Sequence, residues 1–232
     1  MTPRLERFGG TVVLTLDRPP VNALDLQAVL ALEAAFDELT AAPPEGGLVL
    51  TGTGRAFSAG VDTRAFGSYG ADDRAAMIRG ITRMIGRLYG LPCPVAAAVN
   101  GHALGGGFVL MLACDARLAS PGDARLGLTE AQAGVPFPAG PLEVIRAELG
   151  PDLLRRLTLT SETLSPAELA QRGAIDGLVE GDLVAAAVER VAAMARQPAF
   201  AQVKAQLRAP VVARLKALAG SGEDPLIQAL GG

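Results

Sequence analysis

Two glycine-rich turns are the parts of this sequence best suited to chemistry. The first spans residues 100–108, has three consecutive glycines at 105–107, and follows an apolar run at 95–99. A buried strand, a glycine turn and a buried helix would leave backbone N–H groups free at one point. Such donors suit an anion, or an oxygen that becomes anionic during a reaction. The alternative is a tight turn whose small residues serve only close packing.

A second turn of the same kind favours the chemical interpretation. Residues 48–51 form a short predicted strand, which leads into a segment punctuated by glycines at 52–62. Two such turns, each following an apolar strand, can donate one N–H apiece to the same oxygen. The sequence therefore predicts a pair of backbone donors, one from each turn.

The elements that would position these turns alternate between strands and helices, which indicates an α/β protein. Asp25 is an expected N-cap, and Ser165 begins a capping box with proline at the first helical position. Length and periodicity do not separate a doubly wound sheet from a spiral of ββα units. Strands are predicted at 11–16, 48–51, 95–99 and 116–119, and helices at 25–39, 74–89, from about 106, 142–149, 151–159, 185–194 and 199–218.

Six short motifs follow one another in a set order, at 57–62, 100–107, 113–115, 126–130, 164–170 and 173–176. Together they resemble the crotonase superfamily, the enoyl-CoA hydratases and isomerases. The resemblance runs from about Arg7 to about Asp182. It implies a crotonase-like ββα spiral core at 1–184 and a C-terminal helical region at 185–232, which in relatives builds trimers. We therefore expect a homotrimer or a hexamer, although the helical region is short.

The resemblance also assigns roles to individual positions. It implies that the N–H groups of Val61 and Gly106 form an oxyanion hole for a thioester oxygen, and that Glu130 is the catalytic base. The alternative for Glu130 is an exposed glutamate favoured by a helix N-terminus. For Asp62 we expect a carboxylate that accepts backbone N–H groups and holds its loop. The substrate-binding residues that the motifs imply are Ser58, Ala59, Gly60, Val61, Asp62, Gly105 and Gly106.

The number of carboxylates at the site helps to predict which reaction the protein catalyses. Many hydratases of this family carry a second carboxylate three residues beyond the position of Gly106, where this chain has Val109. Adding water usually needs two carboxylates, whereas moving a double bond from C3 to C2 needs one base. The resemblance thus favours an enoyl-CoA isomerase of fatty acid metabolism, with a hydratase or a non-catalytic acyl-CoA-binding homologue as alternatives. The apolar segment 134–138 would wall the acyl pocket and raise the pKa of Glu130, and Thr129 is an expected helix cap.

The polar residues offer little to other chemistries. His102 is the only histidine, so we predict no metal site and interpret it as a structural turn residue. No P-loop occurs, and we expect no cofactor apart from the CoA of the substrate. Lys204 is interpreted as a surface charge, with a contact to the CoA phosphates as the alternative that the resemblance suggests.

Composition narrows the remaining classes. The chain has 232 residues, half of them hydrophobic, and a net charge of −3 without a basic stripe, so nucleic acid is not an expected partner. We predict no membrane span and no N-terminal signal, because no apolar run is long enough. Cys93 and Cys114 lie in apolar segments, which favours reduced thiols and a cytoplasmic location.

Overall fold

The computed structural model describes residues 3–221 and 224–230, which form two sheets surrounded by helices. The strands are β1 (Arg4–Phe8), β2 (Thr11–Leu16), β3 (Gly47–Gly52), β4 (Ala56–Ser58), β5 (Val95–Val99), β6 (His102–Leu104), β7 (Ala116–Ala119), β8 (Leu126–Gly127), β9 (Thr163–Leu164) and β10 (Gly177–Leu178). The helices are α1 (Leu26–Ala41), α2 (Thr63–Ser68), α3 (Ala71–Tyr89), α4 (Gly106–Leu112), α5 (Glu130–Ala133), α6 (Ala139–Glu148), α7 (Pro151–Leu159), α8 (Pro166–Gln171), α9 (Leu183–Ala195), α10 (Phe200–Ser221) and α11 (Pro225–Leu230).

The strands are distributed between the sheets by a repeated unit. The larger sheet has the order β1-β2-β3-β5-β7-β10 and the smaller sheet the order β4-β6-β8-β9. Three successive units each place their first strand, β3, β5 or β7, in the larger sheet and their second, β4, β6 or β8, in the smaller one. A helix follows each pair. This pattern is the predicted ββα spiral, and it confirms the α/β class.

The larger sheet is covered on both faces, which explains why its inner strands are continuously apolar. On one face α1, α3 and α4 pack in the main core. On the other face α9 packs Leu183, Ala187 and Val191 against Val13 and Val49. The predicted boundary between residues 184 and 185 therefore falls inside a helix that belongs to the packing of the sheet.

Local capping explains where several helices begin. The Asp25 carboxylate accepts the Ala28 N–H at 2.7 Å, and Ser165 forms the predicted capping box with Glu168. The predicted cap from Thr129 is wrong, because Thr129 occupies the N-cap position of α5 but its side chain makes no capping bond. Helices α3 and α6 each begin three residues before the predicted start, at Ala71 and Ala139.

The C-terminal helices pack onto the core. Helix α10 continues through Pro210 and buries Leu215 and Leu218 against the body of the chain. In the described part of the chain, every helix is too short or too polar to cross a membrane.

Candidate active site

The two glycine turns meet because the strands that lead into them are neighbours. β4 and β6 pair in parallel, with Ala56 opposite His102 and Ser58 opposite Ala103. The turns that follow therefore leave the same edge of the sheet. Gly60 has φ +77°, and a Cβ there would lie 2.6 Å from the Leu104 oxygen and 2.7 Å from the Gly106 nitrogen. Only glycine allows the two turns this close an approach.

This approach brings together two N–H groups, of Val61 and Gly106, that have no acceptor in the described part of the chain. The nitrogen of Val61 lies 3.8 Å from the point that a Cβ on Gly106 would occupy. The Val61 N–H donates no hydrogen bond to the described residues. Gly106 is the first residue of α4, so its N–H has no acceptor within the helix. The edge therefore offers one free donor from each turn.

An apolar cavity of about 210 Å³ opens beside these donors. The two turns contribute Ala59, Val61, Gly105 and Gly106 to its wall. The C-terminal segment closes part of it with Leu226, held in place by Asp224, whose carboxylate accepts the Ala139 N–H at 2.8 Å. The other apolar side chains in the wall are Phe66, Ile78, Ile81, Val109, Ala133, Val135, Pro136, Pro138 and Pro141, and the polar ones are Thr63, Thr129 and Glu130.

Glu130 brings a carboxyl group to this wall. Its Oε1 lies 3.1 Å from the point that a Cβ on Gly105 would occupy, so the carboxyl stands against the glycine turn. Its Oε2 is buried and has no hydrogen-bond partner among the described residues. Burial raises the pKa of Glu130 to about 7, against a smaller lowering by its own backbone N–H and that of Thr129. Such a carboxyl can take up and release a proton near neutral pH.

The neighbouring positions on α4 carry no second carboxylate to the cavity. Val109 is buried and lies in the wall. Asp115 lies beyond the opposite end of α4, where it pairs with Lys204 at 2.7 Å and Arg208 at 3.1 Å. Of the described residues that line the cavity, Glu130 is the only acid.

Ser58 and Asp62 stand behind the wall and hold the first turn in place. The buried Ser58 hydroxyl donates to the Asn22 oxygen at 2.8 Å and accepts the Gly60 N–H at 3.1 Å. The Asp62 carboxylate accepts the Ala65 N–H at 3.0 Å and a hydrogen bond from Arg18 at 2.9 Å. Neither side chain lines the cavity. Both therefore stabilise the turn and do not face the interior of the cavity.

Two polar residues considered from sequence have structural places. His102 has the expected structural role, because its Nδ1 accepts the Arg125 N–H at 2.9 Å, but it is the first residue of strand β6 rather than a turn residue. The interpretation of Lys204 as a surface charge is wrong: the side chain is buried, and its Nζ donates to the Cys93 oxygen and to Asp115. A contact with CoA phosphates is not open to it there. Within residues 3–221 and 224–230, no three His, Cys, Asp or Glu side chains form a metal-binding group.

Sequence reasoning missed Arg18, Thr63, Phe66 and Leu226. Arg18 follows the predicted strand at 11–16, and its position before two prolines is the one available signal in the sequence. Thr63 and Phe66 lie on the six-residue helix α2, which is too short for a periodic pattern. Leu226 is distant in sequence from every motif, so only the fold brings it to the cavity.

The fold and the site define a spiral ββα protein with paired backbone donors and one carboxyl in an apolar cavity. The model of the family described as enoyl-CoA hydratase/isomerase matches residues 6–223. The chain therefore belongs to the enoyl-CoA hydratase/isomerase family, within the crotonase superfamily.

Individual relatives carry the names of both activities. The chain is 34% identical to the mevalonyl-coenzyme A hydratase of Aspergillus fumigatus over 194 residues, or 80% of this chain and 69% of the relative. It is 36% identical to a probable enoyl-CoA hydratase of Bacillus subtilis over 124 residues, 53% of this chain and only about half (48%) of that relative. The solved structure of a Mycobacterium tuberculosis enoyl-CoA isomerase superposes with a TM-score of 0.85 at 27% identity, covering 99% of this chain and 97% of that one.

Proposed function

We propose that the protein is an enoyl-CoA isomerase that converts a 3-enoyl-CoA to the 2-enoyl-CoA, with Glu130 as its single catalytic base. The observation that carries this proposal is the cavity wall, where Glu130 is the only acid among the described residues and Val109 occupies the second family position. The acyl-CoA thioester is the substrate, and the reaction requires no cofactor besides the CoA of that substrate.

The proposed reaction consists of two proton transfers, from C2 to Glu130 and from Glu130 to C4, with an enolate between them. Glu130 removes a proton from C2, and the electron pair of that C–H bond moves toward the thioester oxygen. The N–H groups of Val61 and Gly106 stabilise the resulting oxyanion. As the thioester carbonyl forms again, the C3–C4 double bond shifts to C2–C3, and C4 takes the proton from Glu130. Atoms and charges balance without water.

The apolar wall supports isomerisation over hydration. A carboxyl with a pKa of about 7 is well matched to proton transfer at neutral pH in both directions. Val109 offers no group that could orient an attacking water molecule. Phe66, Ile81 and Pro138 add further apolar surface around the reacting carbons.

Hydration is the second candidate, because the Aspergillus and Bacillus relatives are both named hydratases. A non-catalytic acyl-CoA-binding protein is a third. Incubation with 3-enoyl-CoA and 2-enoyl-CoA panels separates the three. We expect double-bond migration without hydroxyacyl-CoA. Hydroxyacyl-CoA as the main product would establish the hydratase, and tight binding of CoA thioesters without turnover would establish the binding protein.

Glu130→Gln tests the base directly. This change keeps the shape of the side chain and removes its ability to accept a proton, so we expect turnover to fall by about 10²–10⁴-fold. Acyl-CoA affinity should change little, as measured by calorimetry. Glu168→Gln is the matched control, since Glu168 is a first-turn glutamate of α8 outside the cavity. Isomerisation at the wild-type rate in Glu130→Gln would show that Glu130 is not the base.

We also propose a homotrimer, or a hexamer of two trimers, assembled through the C-terminal helices. The apolar spacing of Val211, Val212, Leu215 and Leu218 would suit such a contact, but these side chains pack against the chain's own core. Val203 and Leu207, one turn apart on α10, are 57% and 77% exposed and are the better candidates.

A cytoplasmic location is supported by Cys93 and Cys114, which are both buried free thiols.

A further inference from the structure

Arg18 joins two segments that are distant in sequence. Its Nη1 donates to the Ala23 oxygen at 3.0 Å and to Asp62 Oδ2 at 2.9 Å. Its Nη2 lies 3.2 Å from Asp25 Oδ2. One guanidinium therefore holds the segment before α1 against the residue that begins α2.

Both carboxylates are also helix caps. Asp25 Oδ1 accepts the Ala28 N–H at the start of α1, and Asp62 Oδ1 accepts the Ala65 N–H at the start of α2. The Ala65 N–H and the hydrogen bond from Arg18 hold the pKa of Asp62 below its usual range. Arg18 thus binds to carboxylates whose positions are already fixed by backbone.

Leu24 lies between Ala23 and Asp25, both of which contact Arg18. The Leu24 N–H donates to the Gly60 oxygen at 2.8 Å, and the Leu24 oxygen accepts the Asp62 N–H at 2.8 Å. The Gly60 oxygen and the Val61 N–H belong to the same peptide group. In a trans peptide these two point in opposite directions, so fixing the oxygen also fixes the direction of the N–H.

We propose that Arg18 is a positioning residue that sets the direction of the Val61 N–H. Arg18 contacts Ala23 and Asp25, on either side of Leu24, and also Asp62. These contacts hold Leu24 against Gly60, so that the peptide between Gly60 and Val61 keeps one orientation. Arg18 does not line the cavity, so its effect on the reaction would act through the peptide between Gly60 and Val61. This role rests on the proposed function, since it presumes that the Val61 N–H stabilises an oxyanion.

The test compares Arg18→Gln with Arg83→Gln. Arg83 is a matched control: it holds Glu33 between α1 and α3 at 2.5 and 3.0 Å, and its side chain is 33% exposed, against 31% for Arg18. We expect Arg18→Gln to lower kcat by roughly 10- to 100-fold, less than the roughly 10²–10³-fold loss of a whole oxyanion donor. KM should stay within about twofold, because the ground state depends less on this donor. Arg83→Gln should leave both constants unchanged.

A spectroscopic measurement separates positioning from mere destabilisation. A bound 3-ketoacyl-CoA forms an enolate that absorbs in the near ultraviolet, and an oxyanion hole lowers the pH at which that enolate appears. Arg18→Gln should raise this pH, while Arg18→Lys, which keeps one charged donor, should restore part of the shift. Asp62→Asn serves as a second variant that retains an oxygen for the α2 cap but loses the ion pair. It should raise the pH in the same way, and the double variant should add little.

Failure of this role and failure of the proposed function give different results. If Arg18→Gln and Arg83→Gln match wild type in kcat and in enolate formation, the positioning role is overturned while the function stands. If the wild-type protein neither isomerises 3-enoyl-CoA nor stabilises the 3-ketoacyl enolate, the proposed function fails and the role of Arg18 fails with it.

Discussion

Glu130 is set apart from the carboxyl groups of Asp115 and Glu148 by its neighbours. Asp115 pairs with Lys204 and Arg208, and Glu148 pairs with Arg117. Glu130 has burial as the main influence on its pKa, with no ion pair to oppose it. It is therefore suited to a change of protonation state rather than to holding two elements together.

The pKa of Glu130 predicts the pH dependence of the enzyme. In the proposed reaction, the free enzyme needs Glu130 deprotonated to accept the C2 proton. Because burial raises this pKa to about 7, kcat/KM should increase with pH below 7 and level off above it. Initial rates with a 3-enoyl-CoA from pH 5 to 9 give the profile. A profile that is already flat at pH 5, as the ordinary glutamate pKa of about 4.3 would give, would contradict this assignment.

At the level of single residues, the sequence indicated which residues belong to the site but not which side chains and backbone groups surround them. The glycines and Glu130 could be singled out because motif order fixes their positions in the chain. Lys204 could not be placed, because a lysine on an amphipathic helix has the same pattern whether it faces solvent or Asp115. The places of Ser58 and Arg18 likewise depend on partners 36 and 44 residues away in the chain.

At the level of elements, α4 has different surroundings at its two ends. Its first residue faces the cavity. Its other end is held by cations: Arg117 donates to the Leu112 oxygen at 2.8 Å, and Arg208 donates to the Ala113 oxygen at 3.0 Å. Positive charge at a helix C-terminus is stabilising. The same arginines pair with Glu148 and so join α4 to α6 and α10. The C-terminal end of α4, opposite the cavity, is therefore held in place.

Asp115→Ala should destabilise this anchorage strongly. The change leaves Lys204 buried without its carboxylate partner and leaves Arg208 with Glu148 alone, at 3.7 Å. It also removes the acceptor of the Val95 N–H. Loss of one partner of a buried ion pair costs about 3–5 kcal/mol of unfolding free energy. Urea denaturation measures the difference. Glu6→Ala is the control, since the Arg4–Glu6 pair is exposed and should contribute less than about 1 kcal/mol. Equal effects from the two variants would contradict the anchoring role.

Elements of nine or more residues were predictable and elements of two or three were not. Helices α1 and α7 lie within two residues of their expected bounds because their apolar residues repeat with helical period. The short strands β6, β8 and β9 have no room for an alternating pattern. They exist because neighbouring strands pair with them, and this information is not local.

At the level of the whole molecule, the exposed face of α10 predicts how copies would assemble. Leu207→Glu places a charge on the most exposed leucine of that face, so a trimer built there should dissociate. Light scattering at micromolar concentration measures the mass. Leu159→Glu is the control, because Leu159 is 74% exposed but lies on α7. A monomeric wild type would refute the assembly proposal, and a trimeric Leu207→Glu would place the contact elsewhere.

The overall architecture followed from motif order rather than from periodicity. The alternation of strands and helices indicated α/β but left two sheet arrangements open. The assignment of alternate strands to different sheets depends on pairings such as β3 with β5 and β4 with β6, which no local pattern encodes. The resemblance supplied that arrangement, and the ββα units confirm it.

The position of Leu226 has a consequence for how the protein comes into being on the ribosome. The two turns and Glu130 are complete once residue 130 has been made, but the wall that Leu226 closes needs almost a hundred further residues. Chains are synthesised from the N-terminus and begin to fold as they emerge. In a nascent chain, the apolar cavity therefore stays open on the side of Leu226 until Asp224 accepts the Ala139 N–H. During that interval the open cavity is a surface to which chaperones that bind exposed apolar segments could attach.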